Sequence, residues 1–379
     1  MPYIYDILKS FRKNDLLDVG AIFGFGARSS CRKDEILDRL SSYIQDQPEK
    51  WLSLMLERDL NFLKSLMAFP TGKPVWLEYA EYPTILEAIG LIHWSDEDEH
   101  FRKVWIDQEF SEIVSGHIDK AISEGERSGR FEHERLMLGI LNIYGVMSYD
   151  DFIRTAISLF NQGGNGDLRG FFLTLRQSPL VMVYRQDGYV FSPCVEKPEE
   201  ILQARGRLSK NRRYRKVTYS QAVEAGSDAP FFVLNAGSPQ CKALREALSD
   251  IGYDDIVIRR KLHDMWMDSQ FVDVEEEAEA VFSAVSEKQD GFPTFEEYQA
   301  CMQKVADYVN NLPKWKLRGR SSEEAGTLRV VLKSDSAETG LLKEASSLMG
   351  LFVGHANPDE PCPCGSGLRY RNCHGKYFS

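Results

Sequence analysis

Four metal-binding side chains lie close together near the end of the printed sequence, in the stretch "PCPCGSGLRYRNCHG" at 361–375. Their spacing is Cys-x-Cys, then eight residues, then Cys-His, and the four positions are Cys362, Cys364, Cys373 and His374. Three thiolates and one imidazole fill a structural zinc site and leave no coordination position open. The spacing therefore predicts one structural Zn²⁺, with iron as the alternative metal.

The residues between these ligands suit a chain that turns back on a metal ion. Pro361 and Pro363 stiffen the first turn, and Gly365 and Gly367 allow backbone conformations that other residues rarely adopt. So short a segment buries too little apolar surface to fold alone, whereas zinc supplies roughly 10 kcal/mol or more in small modules. The alternative interpretation is a redox thiol pair, or free thiols on a frayed tail.

The same stretch closely resembles the SEC-C motif, the zinc-binding tail of the SecA translocation motor, which is also appended to many otherwise unrelated bacterial proteins. The usual pattern is similar to CPCGSGKKYKKCHG. The metal ligands of that pattern correspond to the four residues above, and its frame corresponds to Gly365, Ser366, Gly367 and Tyr370. Here Leu368 replaces a lysine, and Arg369, Arg371 and Asn372 vary the basic segment while keeping much of its positive charge.

In the SEC-C family the zinc-bound surface is associated with ribosomes, or with protein partners of secretion and chaperoning. The resemblance therefore implies an adaptor, in which the metal holds a recognition surface in shape. The residues that we expect to contact the partner are Arg369, Tyr370, Arg371 and Lys376. The resemblance implies no ATPase, because the chain has no G-x-x-x-x-G-K-[ST] loop.

A second set of candidate binding residues forms a basic cluster at 205–216. The net charge of −11 excludes a general electrostatic attraction to nucleic acid, so such binding would need a local patch. The cluster could neutralise phosphates, with Tyr214 and Tyr219 to stack a base. It could equally be a solvated surface, or pair with the acidic run at 272–280. Its basic residues are Arg205, Arg207, Lys210, Arg212, Arg213, Arg215 and Lys216.

The elements that position these residues are mainly helices with small β elements, in a multidomain α+β chain. We predict six segments. They are a helical module resembling SAP and Rho N-terminal units (1–46), a helical, winged-helix-like domain (47–130), a second winged-helix-like domain with the basic segment (131–225), an α+β or helical domain (226–335), a linker with a short helix (336–356) and the zinc knuckle (357–379).

Residues 131–195 carry the clearest winged-helix pattern, with three helices followed by a hairpin. Ser148 is the predicted N-cap of the second helix, and Asp187-Gly188 is a strong hairpin turn. Residues 47–130 suggest the same plan, with one strong helix over 48–69, a further helix through 110–122 and a short strand "KVWI". Winged helices bind DNA, RNA or proteins, so the fold alone does not choose among them.

The segment "YVNNLPKWKLRGRSSEE" resembles one found upstream of SEC-C motifs in uncharacterised bacterial proteins, often of the form NNTPxWxxxGxxPxE. The corresponding residues are Asn310, Asn311, Pro313, Trp315 and Gly319. We interpret it as a buried structural turn without chemistry. Before it, Thr294 and Glu297 predict a capping box at the start of a helix, and Pro313 follows that helix.

Binding, and not catalysis, is the function that these observations favour. No G-x-S-x-G elbow or H-E-x-x-H helix occurs, and His263 lies on an apolar helix face, as a core histidine does. No run of apolar residues is long enough to span a membrane, no signal-peptide pattern is present, and the scattered cysteines suit a reducing cytoplasm. The alternative function is a nucleic-acid-binding protein in regulation or defence. An enzyme is the least supported hypothesis, and no small-molecule substrate is evident from the sequence.

Overall fold

The computed structural model describes residues 3–78, 84–96, 101–164, 166–207, 213–226, 235–270, 294–325, 329–331 and 352–354, together with residues 233 and 281. This part of the chain is mainly helical with small antiparallel sheets, as the sequence predicts. None of its helices is both long and apolar enough to cross a lipid bilayer.

The chain divides into two compact units, each made of separate stretches of sequence. The first comprises Met1–Ile140, Ser148–Cys194 and Thr218–Asp228, and the second comprises Leu141–Met147, Val195–Val217 and Ala229–Ser379. The six predicted segment boundaries remain a prediction.

The first unit begins with five helices around a tryptophan. The Trp51 side chain is fully buried, its ring lies 5.1 Å from Phe23 and 6.3 Å from Phe110, and its indole N–H donates to the Ile44 carbonyl. Each large aromatic residue removes much apolar surface from water, which stabilises the packing. The helices are α1 (Tyr3–Leu8), α2 (Lys13–Ile22), α3 (Lys33–Asp46), α4 (Pro48–Leu52) and α5 (Glu57–Leu66).

The single helix predicted over 48–69 is wrong, because α4 and α5 are separate helices. Leu56 has an extended backbone and caps α5, and both Met55 and Leu56 are buried. The Met55 carbonyl accepts a hydrogen bond from the Arg130 guanidinium at 2.7 Å. Tertiary packing and this bond therefore replace the helical bonds that the local sequence favours.

A three-stranded antiparallel sheet follows, in the order β1-β3-β2, with a short helix between its first two strands. The Thr84 hydroxyl and the Glu87 carboxylate form a capping box at the start of that helix, and Gly90 at φ +83° ends it. The predicted "KVWI" strand is confirmed as part of β3. The elements are β1 (Val75–Glu78), α6 (Ile85–Ile89), β2 (His93–Asp96) and β3 (Phe101–Trp105).

The remaining elements of this stretch are helices and one hairpin. The predicted helix through 110–122 is wrong as a single element, because Gly116 at φ +82° breaks it in two. The elements up to residue 191 are α7 (Gln108–Val114), α8 (Ile118–Arg127), α9 (Arg130–Tyr144), β4 (Val146–Ser148), α10 (Tyr149–Gly163), α11 (Leu168–Gln177), α12 (Pro179–Val183), β5 (Arg185–Gln186) and β6 (Tyr189–Phe191).

Two local predictions in this stretch are confirmed. The Ser148 hydroxyl accepts the Asp151 backbone N–H at 3.1 Å, which makes it the N-cap of α10. Asp187 and Gly188 both have positive φ, and they join β5 to β6 in a tight hairpin. The last helix of the first unit is α14 (Tyr219–Ala225).

The second unit is built on two long helices and a turn that carries Trp315. The Trp266 and Trp315 rings meet edge to face at 6.0 Å. The Thr294 hydroxyl accepts the Glu297 N–H and caps a helix of 17 residues, which confirms half of the predicted capping box, and Pro313 follows the end of that helix. The elements are α13 (Pro198–Arg207), α15 (Pro239–Asp250), α16 (Asp255–Asp268), α17 (Phe295–Asn311), a 3₁₀ turn (Trp315–Leu317), α18 (Ser322–Ala325), β7 (Arg329–Val331) and β8 (Phe352–Gly354).

Candidate functional site

The predicted metal ligands lie outside the described residues, so their arrangement stays a prediction. This holds for Cys362, Cys364, Cys373 and His374, and for the predicted contact residues Arg369, Tyr370, Arg371 and Lys376. The donor set itself, three thiols and one imidazole, is the set that a closed zinc site uses. Within the described part of the chain, no group of three or more histidine, cysteine or acidic side chains is placed to hold a metal ion.

The four remaining cysteines are free thiols, as their scattered positions predict. Cys31 and Cys194 are partly exposed, while Cys241 and Cys301 are buried. Burial raises the pKa of the Cys241 thiol, and it raises the pKa of Cys301 to about 11. Both buried thiols therefore stay protonated at neutral pH, and neither is in the thiolate form that binds metal.

The first arginine of the basic cluster is buried inside the second unit. The Arg205 side chain is 4% exposed, and its guanidinium donates to three backbone carbonyls. The acceptors are Trp315 O at 2.9 and 2.7 Å, Val146 O at 2.5 Å and Tyr144 O at 2.5 Å. Burial lowers the pKa of Arg205 to about 10, so the group is still charged at neutral pH. In this position Arg205 joins three chain segments and cannot reach a phosphate.

The other described members of the cluster lie nearer the surface. Arg215 is half-buried, and its guanidinium forms an ion pair with Glu324 at 3.1 Å. Its backbone carbonyl accepts the Tyr144 hydroxyl at 2.6 Å. Arg207, Arg213 and Lys216 are exposed. Lys210 and Arg212 lie outside the described residues, as does the acidic run at 272–280, so the predicted pairing between the two runs remains untested.

Both tyrosines of the cluster contact other side chains. Tyr214 packs edge to face on Tyr144 at 5.2 Å, and the Arg205 and Arg318 guanidinium groups lie within 6 Å of its ring. Tyr219, in the first unit, is half-buried and donates its hydroxyl to Glu132 at 2.7 Å. The Tyr214 ring is therefore used for packing, whereas Tyr219 contacts Glu132 through its hydroxyl group.

The segment that resembles the NNTPxW form is a buried turn, as predicted. Trp315 is 4% exposed, its indole N–H donates to Asn142 O at 2.8 Å, and its backbone N–H donates to the Gln270 side chain at 2.9 Å. Gly319 has φ +78°, and a Cβ there would lie 2.6 Å from the Tyr144 ring. The turn thus tolerates no side chain at Gly319 and supplies the carbonyl that Arg205 binds.

His263 is also a core residue, as the sequence predicts. Its ring is 2% exposed and lies edge to face on Trp266 at 5.4 Å. Close by in sequence, burial and the Asp264 charge raise the pKa of Asp268 to about 6.

A cluster of buried charges in the first unit was not anticipated from the sequence. Burial raises the pKa of Glu134 to about 7, although Arg130 pairs with it, and burial raises the pKa of Asp59 to about 6. Both acids line a cavity with about 30 Å³ of free space, which is room for one or two waters. Glu87 and Arg102 form a further buried ion pair at 2.6 Å. The only sequence signal was charge at core-facing helix positions.

The cavity is too small for a small-molecule substrate, since such pockets are usually about 300–1,000 Å³. The buried acids are held by backbone N–H groups and arginines: the Ile85 N–H donates to Asp59 at 3.1 Å, and the Glu57 N–H donates to Glu134 at 3.3 Å. This arrangement stabilises the packing between helices and places no side chain to attack a ligand. The cluster is therefore a structural feature of the core.

Comparison with known proteins gives one match. The family model of the SEC-C motif matches residues 360–376, a stretch that includes all four predicted metal ligands. A search of curated proteins and a search of solved structures return no match to the chain. The match therefore supports a SEC-C-containing protein and describes only the end of the printed sequence.

Proposed function

We propose that this chain is a zinc-binding adaptor whose SEC-C knuckle contacts a protein or ribosomal partner. The observation that carries the proposal is the SEC-C match at 360–376, because it includes four donor side chains of the types that a structural zinc site uses. Cys362, Cys364, Cys373 and His374 would hold one Zn²⁺, whose role is to fold the knuckle. The free cysteines elsewhere in the described chain are consistent with a reducing bacterial cytoplasm as its location.

Elemental analysis of the purified full chain tests the metal. We expect about one zinc per chain, and we expect Cys373→Ser to lower that ratio sharply, because three ligands hold zinc less tightly than four. Cys31→Ser is the matched control, since Cys31 is a partly exposed free thiol that lies outside the motif in sequence. The proposal would be overturned if protein that was never exposed to a chelator contained no bound metal.

Partner contact is tested separately from metal binding. Arg369, Tyr370, Arg371 and Lys376 would form the contact surface, so we expect their combined replacement to abolish co-purification of the partner while the zinc content stays unchanged. A basic surface favours an acidic partner or RNA within a ribosome. Unchanged co-purification by this variant would remove the assigned surface and leave the metal site standing.

The helical domains would act as the scaffold and would carry further surfaces. We assign winged-helix-like folds to 47–130 and 131–225, because each has helices followed by an antiparallel strand pair. In the first these are β2 and β3, and in the second they are β5 and β6. Such modules bind proteins as well as nucleic acids, so this assignment is compatible with an adaptor.

A second candidate function is nucleic-acid binding through the basic cluster. The observation that favours it is the exposure of Arg207, Arg213 and Lys216 on one short stretch. Binding to mixed RNA and DNA should then weaken steeply between about 50 mM and about 200 mM salt. Charge reversal of these three residues should abolish the binding, and no binding at the lower salt concentration would exclude this function.

A further inference from the structure

A surface groove lies between helices α10 and α11 of the first unit, and nothing assigned so far uses it. The groove encloses about 680 Å³. The first two turns of α10 form one wall, with Ile153 as its apolar residue, and α11 forms the other. Both helices lie within the first unit, and neither belongs to the knuckle or to the basic cluster.

Helix α11 is apolar on two faces, although a helix at a protein surface normally needs only one. Its inner face buries Phe171 and Leu175, and the Phe171 ring stacks on Phe160 at 4.5 Å. Its outer face exposes Phe172 at 42% and Leu173 at 50%. Both outer residues line the groove, so this apolar surface is contiguous with a concave site that could receive a partner.

Two arginines bracket this apolar pair along the helix. Arg169 precedes Phe172 by three residues and Arg176 follows Leu173 by three, so all four residues share one stripe of the helix. Both arginines are exposed and line the groove, and among the described residues neither guanidinium has a carboxylate within ion-pair distance. The stripe therefore offers two unused positive charges, one helical turn to either side of an apolar anchor site.

The opposite wall adds one more arginine and one acid. Arg154 forms an exposed ion pair with Asp151 at 2.6 Å, and Asp150 is the acidic residue of the lining. At the end of the groove, the Tyr149 backbone N–H donates to Gly188 O at 2.8 Å, and the Arg185 guanidinium stacks on the Tyr149 ring at 3.9 Å. The hairpin thus fixes this end of the groove, which keeps a net positive lining.

We propose that this groove binds an amphipathic helix of a partner protein, with apolar side chains on one face and acidic side chains beside them. Helix-in-groove recognition uses apolar anchors at i, i+3 or i+4, and i+7, which a groove between two helices accommodates. Carboxylates flanking those anchors would pair with Arg169 and Arg176. Nucleic acid fits less well, because the exposed centre of α11 is Phe172 and Leu173, while base edges and phosphates need polar contacts.

The test is a display library of amphipathic helical peptides, about five turns long, screened against the full-length protein. Leucine or phenylalanine occupies the anchor positions, and each flanking position is glutamate, lysine or glutamine. We expect the enriched peptides to carry glutamate beside the anchors. A single enriched peptide is then made with a fluorophore and measured by anisotropy, together with a scrambled version of the same composition.

Three variants of the full chain locate the binding site. Leu173→Glu places a charge at the exposed anchor, and Arg169→Glu with Arg176→Glu reverses the charge of the stripe. Each should weaken binding of the enriched peptide at least about tenfold, the loss expected when a central anchor or charge pair is removed. Ile256→Glu is the matched control, because Ile256 is an apolar residue with 66% exposure in the other unit, and it should leave binding unchanged.

Charge reversal should create a new binding preference, which a misfolded variant would not show. The Arg169→Glu, Arg176→Glu chain should enrich peptides with lysine beside the anchors from the same library. Enrichment of lysine peptides by the unaltered chain, no enrichment at all, or binding that ignores the groove variants would overturn the proposal. Salt-sensitive binding of duplex DNA that Arg176→Glu abolishes would also overturn it and would assign the groove to nucleic acid.

The proposal is independent of the zinc knuckle. Cys373→Ser in the full chain should lose zinc and keep its affinity for the peptide, because the groove lies in the first unit. Absence of zinc would therefore contradict the proposed function only. Absence of peptide binding would contradict the groove proposal only.

Discussion

Arg205 carries a full positive charge into the interior of the second unit without a carboxylate among its hydrogen-bond acceptors. Instead, four N–H contacts reach the carbonyls of Tyr144, Val146 and Trp315. A planar guanidinium can donate in several directions at once, so one side chain holds three chain segments together. The sequence could not reveal this role, because Arg205 lies in a run of basic residues that includes the exposed Arg207, Arg213 and Lys216.

We expect Arg205→Lys to lower the free energy of unfolding by about 3 kcal/mol. A lysine ammonium cannot satisfy three carbonyls in the fork geometry of arginine, and an unsatisfied buried acceptor costs about 1–3 kcal/mol. Urea denaturation measures the change. Arg207→Lys, two residues along the same helix and exposed, should change it by less than about 0.5 kcal/mol. Equal effects of the two substitutions would contradict the structural role of Arg205.

Asp59 should make the stability of the first unit depend on pH. Its side chain is fully buried, and burial raises its pKa to about 6. A carboxyl whose pKa rises on folding keeps its proton up to a higher pH in the folded chain than in the unfolded chain. The contribution of Asp59 to the free energy of unfolding therefore falls as pH rises from about 4 to about 6, by at most about 1.4 kcal/mol per pH unit, and is level above that range.

Asp59→Asn tests this expectation, because asparagine can still accept the Ile85 N–H and does not titrate. The difference in unfolding free energy between Asp59→Asn and the unaltered chain should grow in favour of asparagine across this pH range. Asp46→Asn, an exposed substitution on α3, serves as the control. A constant difference between Asp59→Asn and the unaltered chain at all pH values would show that Asp59 does not change its protonation there.

At the scale of elements, the local signals of the sequence predicted caps and turns better than helix breaks. Ser148 and Asp187-Gly188 act through bonds or backbone angles within a few residues, so their effect is readable locally. The break before α5 depends on Arg130, which lies far along the chain and binds the Met55 carbonyl. A pattern confined to 48–69 contains no information about that partner.

Helices α9 and α14 of the first unit approach each other closely at two glycines. A Cβ at Gly139 would lie 1.7 Å from the Ala222 carbonyl oxygen, and one at Gly226 would lie 1.8 Å from the Arg135 carbonyl oxygen. Both obstacles are backbone atoms, which cannot move as a flexible side chain would. A glycine inside the apolar α9 pattern signalled a close contact, but the sequence could not name its partner.

Gly139→Ala should therefore lower the free energy of unfolding by about 3 kcal/mol or more, because the two helices must separate to admit the methyl group. Gly170→Ala is the matched control. Gly170 is also inside a helix, nothing lies within 4 Å of its added Cβ, and alanine there should stabilise the chain by about 0.5–1 kcal/mol. Thermal and urea unfolding distinguish the two. Similar small effects would mean that the helices are farther apart in solution.

At the scale of the whole molecule, the candidate metal site and the fold differ in how far local sequence predicts them. The four candidate metal ligands can be predicted from spacing alone, because a metal site is local and its donor types are few. The fold class could be predicted from periodicity, whereas the division into two units built from alternating stretches of sequence could not. Such a division depends on contacts such as those of Trp315 with Asn142 and Arg205, which join distant parts of the chain.

Metal removal should consequently leave the stability of the two units nearly unchanged and abolish partner binding by the knuckle. Both units have extensive apolar cores, and no candidate metal site occurs among the described residues. We expect a chelator to shift the main thermal transition by less than about 2 °C, which corresponds to less than about 1 kcal/mol for units of this size. The same treatment should abolish partner binding by the knuckle, since on the proposed function zinc would supply its folding free energy. Cys373→Ser without chelator controls for removal of other ions, and unfolding of the helices on zinc loss would mean that the metal also supports the units.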